Sequence, residues 1–155
     1  MHYCLTLPQV KSLASYCASH LHAPCCIFLQ GPLGAGKTTF AQYFIEAHGF
    51  KGTIKSPSFS IVESYSFENF NVHHFDLYRI EDPESFYMMG LEELIQDPQA
   101  ITLLEWPQHG PDLQADLELH FDYNKEDIHS RILEIKATNK TPNLSKISDF
   151  LAHLS

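Results

Sequence analysis

Arginine is scarce in this chain: only Arg79 and Arg131 occur among its 155 residues. Any arginine supplied from within to a transferring phosphoryl group must be one of these two. A basic stripe is missing as well. Ten Lys and Arg stand against nineteen Asp and Glu, a formal net charge of -9, which excludes the phosphate-neutralising surface of a general nucleic-acid binder. Any RNA would have to be held by another protein. Cysteine is sparse and unpatterned: Cys4, Cys17, Cys25 and Cys26 contain no C-x-x-C pair and no framework of the secreted kind, so reduced thiols in a cytosol are expected. Long apolar runs are absent too. Cys25 to Leu29 is far too short to span a bilayer, and MHYCLTLPQ shows no charged region followed by an apolar stretch, so export and membrane insertion are not expected. The ten histidines are scattered, and the adjacent His73 and His74 would point to opposite faces of a strand, which argues against a zinc site. There is no internal repeat and no low-complexity linker. With 44% apolar and 19% charged residues, the chain suits one compact domain and leaves no room for a second core.

What is present is an alternation of helical and strand patterns. Val10, Leu13, Ala14, Cys17 and Leu21 recur at helical spacing after Pro8, predicting an amphipathic helix that ends before Pro24. CCIFLQ (25–30) reads as a buried parallel strand, and a helix follows from Lys37 to about His48, stopped by Gly49. The stretches Phe59 to Tyr65 and Val72 to Tyr78 predict a hairpin around FENFN. Pro83 opens a short helix through Met89, with a further turn from Leu91 to Ile95. ITLLEW (101–106) is a second buried central strand, ended by Pro107. Leu117, Leu119 and Phe121, then Ile132 and Ile135, predict an antiparallel pair at one edge of the sheet. Leu144, Ile147, Phe150, Leu151 and Leu154 predict a C-terminal helix over 141–155. The expected fold is a single α/β domain of P-loop NTPase type, residues 1–155. Its central sheet is mainly parallel with antiparallel edge strands, flanked by helices.

GPLGAGKT, Gly31 to Thr38, fits G-x-x-x-x-G-K-[ST], and each fixed position has a physical job. Gly31, Gly34 and Gly36 let the backbone turn several N–H groups onto phosphate oxygens. Lys37, at the positive end of the helix, adds a charge toward the β and γ phosphates, and Thr38 offers its hydroxyl to Mg2+. Leu33, Ala35 and Thr39 complete the loop that would hold ATP or ADP. Such a site needs a carboxylate at the end of a buried strand. Glu105 and Asp76 are both so placed, and they can divide the work between holding metal and positioning the attacking water. We assign Glu105 to the metal and Asp76 to the water.

Four blocks carry a wider likeness: LGAGKTTF (33–40), KSPSFSIVESY (55–65), HFDLYRIEDPESFYMMG (74–90) and LLEWPQ (103–108). Their order and spacing resemble the TsaE family, also called YjeE, over roughly residues 5 to 135. The resemblance implies a cytoplasmic, Mg2+-dependent ATPase required for threonylcarbamoyladenosine in tRNA. By that likeness it works with the TsaD and TsaB proteins and meets tRNA only indirectly, and its turnover is weak without those partners. The likeness also implies that Ser56 to Ser58 lie in a switch-like loop near the γ phosphate, with Ser58 beside Asp76 and Lys37 in catalysis. Thr38 and Glu105 would hold Mg2+, Trp106 would sit beside the nucleotide with Arg131, and Gln9 would lie in the segment that touches adenine. Two positions depart from the family's pattern: Pro32 stands where Asp is common, and Ser58 replaces Thr. Two other readings of a P-loop remain open on the residues alone: a small-molecule kinase, which needs an arginine-rich lid, and a nucleotide-gated adaptor with incidental hydrolysis.

Overall fold

The chain's most buried segment is Ala100–Glu105, strand β5, in which all six residues are inaccessible. In the computed structural model, which describes residues 1–138 and 143–154, β5 has parallel neighbours on both sides. These are β2 (Cys25–Gln30) and β4 (Asn71–Asp76). A strand covered above, below and along both edges needs a nearly continuous apolar run, and AITLL supplies it with Thr102 as its one polar residue. The full sheet adds β1 (His2–Thr6), β3 (Val62–Ser66), β6 (Leu117–Tyr123) and β7 (Ser130–Ala137) in the order β1-β7-β6-β2-β5-β4-β3. β6 is parallel to β2, whereas β3, β7 and β1 run antiparallel to their neighbours. The expected parallel centre with antiparallel flanks is therefore what forms.

Two helices, α1 (Leu7–His20) and α2 (Lys37–Ala47), pack together on one face, over Ile27, Leu29, Ile101 and Leu103. Phe40 and Phe44 of α2 are fully buried there, each contributing roughly 1.5–3 kcal/mol relative to exposure. The helix α5 (Leu144–Leu154) buries Ile147 and Leu151, and Phe150 stacks on Tyr16 of α1 at 4.1 Å. The ends of the C-terminal helix expected over 141–155 lie outside the described residues. On the opposite face Phe28, Phe75 and Leu104 are covered by Leu77, Ile80, Phe86 and Leu91, in and around α3 (Pro83–Met88) and α4 (Glu92–Ile95). Among the described residues no helix is long and apolar enough to cross a membrane, and all four cysteines are free.

Two expectations are corrected. The β6–β7 pair is not the sheet edge, because β1 pairs outside β7, with Leu5 opposite Arg131. Its five residues alternate buried and exposed, but so short a run becomes a strand only when a partner far along the chain accepts it. The hairpin also begins later than Phe59: Ile61 N–H donates to Pro57 O at 2.7 Å and Ile61 takes a φ of 71°. Pro57 thus turns residues 57–60 before β3 starts.

Candidate nucleotide site

Register brings the site together. Glu105 ends β5 opposite Leu29 of β2 on one side and Asp76 of β4 on the other, so three parallel strands finish level. In open α/β sheets, ligands bind in the crevice beyond such carboxyl ends. The glycine-rich loop leaves β2 there and enters α2. Gly31 has a φ of 131°, and a Cβ on it would lie 2.0 Å from the Phe121 carbonyl oxygen, so only glycine lets the loop pass β6. Gly36 precedes α2 with a φ of 113°, aiming the first amides of the helix into the loop.

Lys37 is buried. Its Nζ donates to Gly31 O at 2.5 Å and Pro32 O at 2.8 Å, and lies 4.7 Å from the centre of the Trp106 ring. Burial lowers the lysine's proton affinity, which the charges of Glu105 and Asp76 partly restore. Pro32 lacks an N–H, but its carbonyl also receives Ala35 N–H at 3.2 Å and so closes the loop. Thr38 Oγ1 stands 2.9 and 3.0 Å from the two oxygens of Glu105, and His74 Nε2 lies 2.7 Å from Oε2 of the same carboxylate. Asp76 Oδ1 accepts from Tyr78 N–H at 3.1 Å. Burial pushes this carboxyl above its usual range, and Glu105 adds to the effect. A threonine hydroxyl and a buried carboxylate are the hard oxygen donors that suit Mg2+, which takes one or two protein ligands and completes its shell with water and phosphates. Among the described residues no group of three or more His, Cys, Asp or Glu forms an all-protein cage.

Trp106 follows Glu105 in the left-handed region, with a φ of 56°, and packs against Tyr78 at 5.0 Å and His109 at 5.7 Å. A non-glycine residue there costs about 1–3 kcal/mol, and such strain gathers at functional sites. Ser58 occupies the 57–60 turn. Asp76 N–H donates to Ile61 O at 2.8 Å, tying this segment to the end of β4. The exposed Phe59 lies 4.2 Å from the Arg79 guanidinium.

Beside the loop opens a cavity of about 260 Å³. Gly34, Ala35, Gly36 and Thr39 line one side, Arg131 another, and Leu7 and Val10 of α1 a third. Leu33 is exposed, and its carbonyl accepts the Tyr123 hydroxyl. Gln9 is not among the lining residues: its Oε1 accepts Thr6 N–H at 2.8 Å and its Nε2 donates to Leu154 O, binding α1 to α5. Arg131 donates to the Ile128 and Ser130 carbonyls, both at 2.9 Å, and its guanidinium lies 5.8 Å from the Tyr123 ring centre. Ile128, His129 and Tyr123 carried no sequence signal. They sit in a polar turn and a strand end, and reach the loop only because β6 and β7 lie beside it. His74 had one: it is two residues before Asp76, hence on the same strand face.

Strand, phosphate-cradling loop, helix, and two acidic strand ends define a P-loop nucleotide-binding protein of the ATPase type. The chain belongs to the TsaE family: the model of the threonylcarbamoyl adenosine biosynthesis protein TsaE matches residues 6–133. The TsaE of Haemophilus influenzae is 36% identical over 106 residues, which cover 67% of this chain and 66% of that one. The TsaE of Rickettsia typhi is 33% identical over 140 residues, 90% of this chain and 96% of that one. Both carry the name tRNA threonylcarbamoyladenosine biosynthesis protein. The crystal structure of Bacillus subtilis YdiB shares the fold with a TM-score of 0.70 at 23% identity, over 99% of this chain and 94% of that one.

Proposed function

We propose that this chain is a cytoplasmic Mg2+-dependent ATPase that serves tRNA threonylcarbamoyladenosine biosynthesis by docking, with its nucleotide, onto TsaD and TsaB. The observation that carries this reading is the convergence of Lys37, Thr38, Glu105 and Asp76 at three level strand ends. Amides of the Gly31–Thr39 loop and the Lys37 ammonium hold the β and γ phosphates. Thr38 and Glu105 hold Mg2+, which when bound neutralises charge on those phosphates. Asp76, its proton affinity raised by burial, orients the attacking water and takes its proton. Ser58, brought alongside through Ile61, faces the γ phosphate. Leu7, Val10 and Arg131 enclose the base in the 260 Å³ cavity. The acidic surface fits a protein that leaves tRNA to its partners.

A small-molecule kinase would need arginines free on a lid. Here Arg131 is committed to two carbonyls and Arg79 rests over Phe59, which speaks against that alternative. The deciding experiment is ATP hydrolysis by the purified chain with and without TsaD and TsaB, beside Lys37→Ala. We expect partner stimulation in the parent chain and none in the variant. Hydrolysis indifferent to both partners and to the substitution overturns the proposal.

A further inference from the structure

Neighbouring histidines on β4 have different fates. His73 is satisfied at both ring nitrogens, Nδ1 by Ser64 Oγ at 2.8 Å and Nε2 by Asp97 Oδ2 at 2.9 Å. It is a structural residue of the β3–β4 hairpin. His74 is fully buried and bonds through Nε2 to Glu105, while its Nδ1 has no hydrogen-bond partner among the described residues. An unpaired buried polar atom costs about 1–3 kcal/mol, so packing alone would favour an apolar residue at this position. What the imidazole supplies and an apolar side chain lacks is a donor aimed at Glu105.

We infer that His74 is a positioning residue for the metal carboxylate. An ionised Glu105 only accepts hydrogen bonds, so Nε2 carries the proton. The bond spans adjacent parallel strands: His74 lies opposite Leu103, one alternation before the Asp76–Glu105 pair. Its ring therefore reaches forward along the strand to Oε2. Thr38 has a single hydroxyl proton, which it now gives to Glu105. When that hydroxyl turns a lone pair toward a cation, Glu105 loses this donor and His74 remains. His74 thus keeps the carboxylate aimed while Thr38 changes partner, as outer-shell groups do elsewhere for ligating carboxylates. This inference rests on the reading of Glu105 as a Mg2+ ligand.

The test compares His74→Phe, which keeps a ring and loses the donor, with His74→Gln, whose amide nitrogen falls near the place of Nε2. ADP binding is measured by calorimetry in EDTA and across a Mg2+ titration, and ATP turnover across the same titration. In His74→Phe we expect metal-free ADP affinity within about twofold of the parent and a Mg2+ requirement about 10–100-fold higher. His74→Gln should recover most of that loss. An unchanged Mg2+ requirement in His74→Phe, or equal loss in both variants, overturns the inference. A parent chain whose nucleotide binding ignores Mg2+ overturns instead the reading of Glu105. If His74→Phe fails to fold, nitrogen-15 spectra of the histidine-labelled parent decide. A protected Nε2–H resonance that moves when Mg2+ joins bound ADP supports the role, and a proton on Nδ1 alone sinks it.

Discussion

Thr38 and Glu105 stand 67 positions apart in the chain, yet the threonine hydroxyl lies within 3.0 Å of both carboxylate oxygens. Glycine-loop geometry delivers one partner and strand register the other. Thr38→Ala removes an oxygen donor and leaves Glu105 with His74, whereas Thr38→Ser keeps the hydroxyl. We expect the alanine variant to need about tenfold more Mg2+ for nucleotide binding, equivalent to about 1.4 kcal/mol, and the serine variant to stay near the parent. Calorimetry across a Mg2+ series measures both, and equal behaviour of the two would refute the pairing's role.

Asp76 gives a pH signature whose sign is fixed. Burial, reinforced by Glu105, outweighs the Tyr78 amide bond and lifts this carboxyl above its ordinary 3.8. The folded state therefore binds more protons than the unfolded chain above that value, and stability falls as pH rises through the window. Asp76→Asn removes the penalty. The variant should melt higher than the parent at neutral pH, with the gap closing below the usual carboxylate range, while ATP turnover is lost. Melting curves across pH would expose the error if the gap were constant.

Gly31→Ala meets a carbonyl at 2.0 Å in a left-handed backbone, whereas Gly49→Ala, with a φ of 86°, meets open space. The second should cost about 1 kcal/mol, the ordinary left-handed penalty. The first should cost at least about 2 kcal/mol, since the obstructing atom is backbone. For a chain of this size that lowers the melting midpoint by about 4–8 °C. Thermal unfolding of the two variants side by side checks the order.

Burial pushes the Cys17, Cys25 and Cys26 thiols up to about 12, while Cys4 is exposed. Thiol reagents at neutral pH should modify Cys4 rapidly in the native protein and the buried Cys17 and Cys25 only on unfolding, with the half-buried Cys26 between them. Mass spectrometry of peptides after a short pulse distinguishes the sites. Fast modification of Cys17 or Cys25 in the native protein would contradict their burial.

Much of this was legible beforehand because the signals are local. Continuous apolar runs marked β2 and β5 as central, and Gly31 to Thr38 placed the phosphate loop between strand and helix. Asp76 and Glu105 were readable as strand-end acids, though their side-by-side register was not, since it depends on how two distant strands align. β1 lacks a local signal for the same reason: HYCLT alternates over too few residues to declare itself without β7. The cavity beside the loop draws on α1, α2 and β7, and no single window of sequence contains it. Gln9 shows the limit of position within a segment, for it shares a helix with Leu7 and Val10 but bonds Thr6 and Leu154.

Pairing of the outermost strand β1 sets Thr6 opposite Ser130, 124 positions later. On a translating ribosome, which adds about 5–20 residues per second, the first strand waits roughly 6 to 25 seconds for its mate. Through that interval Tyr3 and Leu5 have no final place to go, and the half-made sheet keeps an open border. Until the seventh strand emerges, a nascent chain of this protein therefore carries an unpaired strand, the kind of exposed edge that invites pairing with the wrong partner.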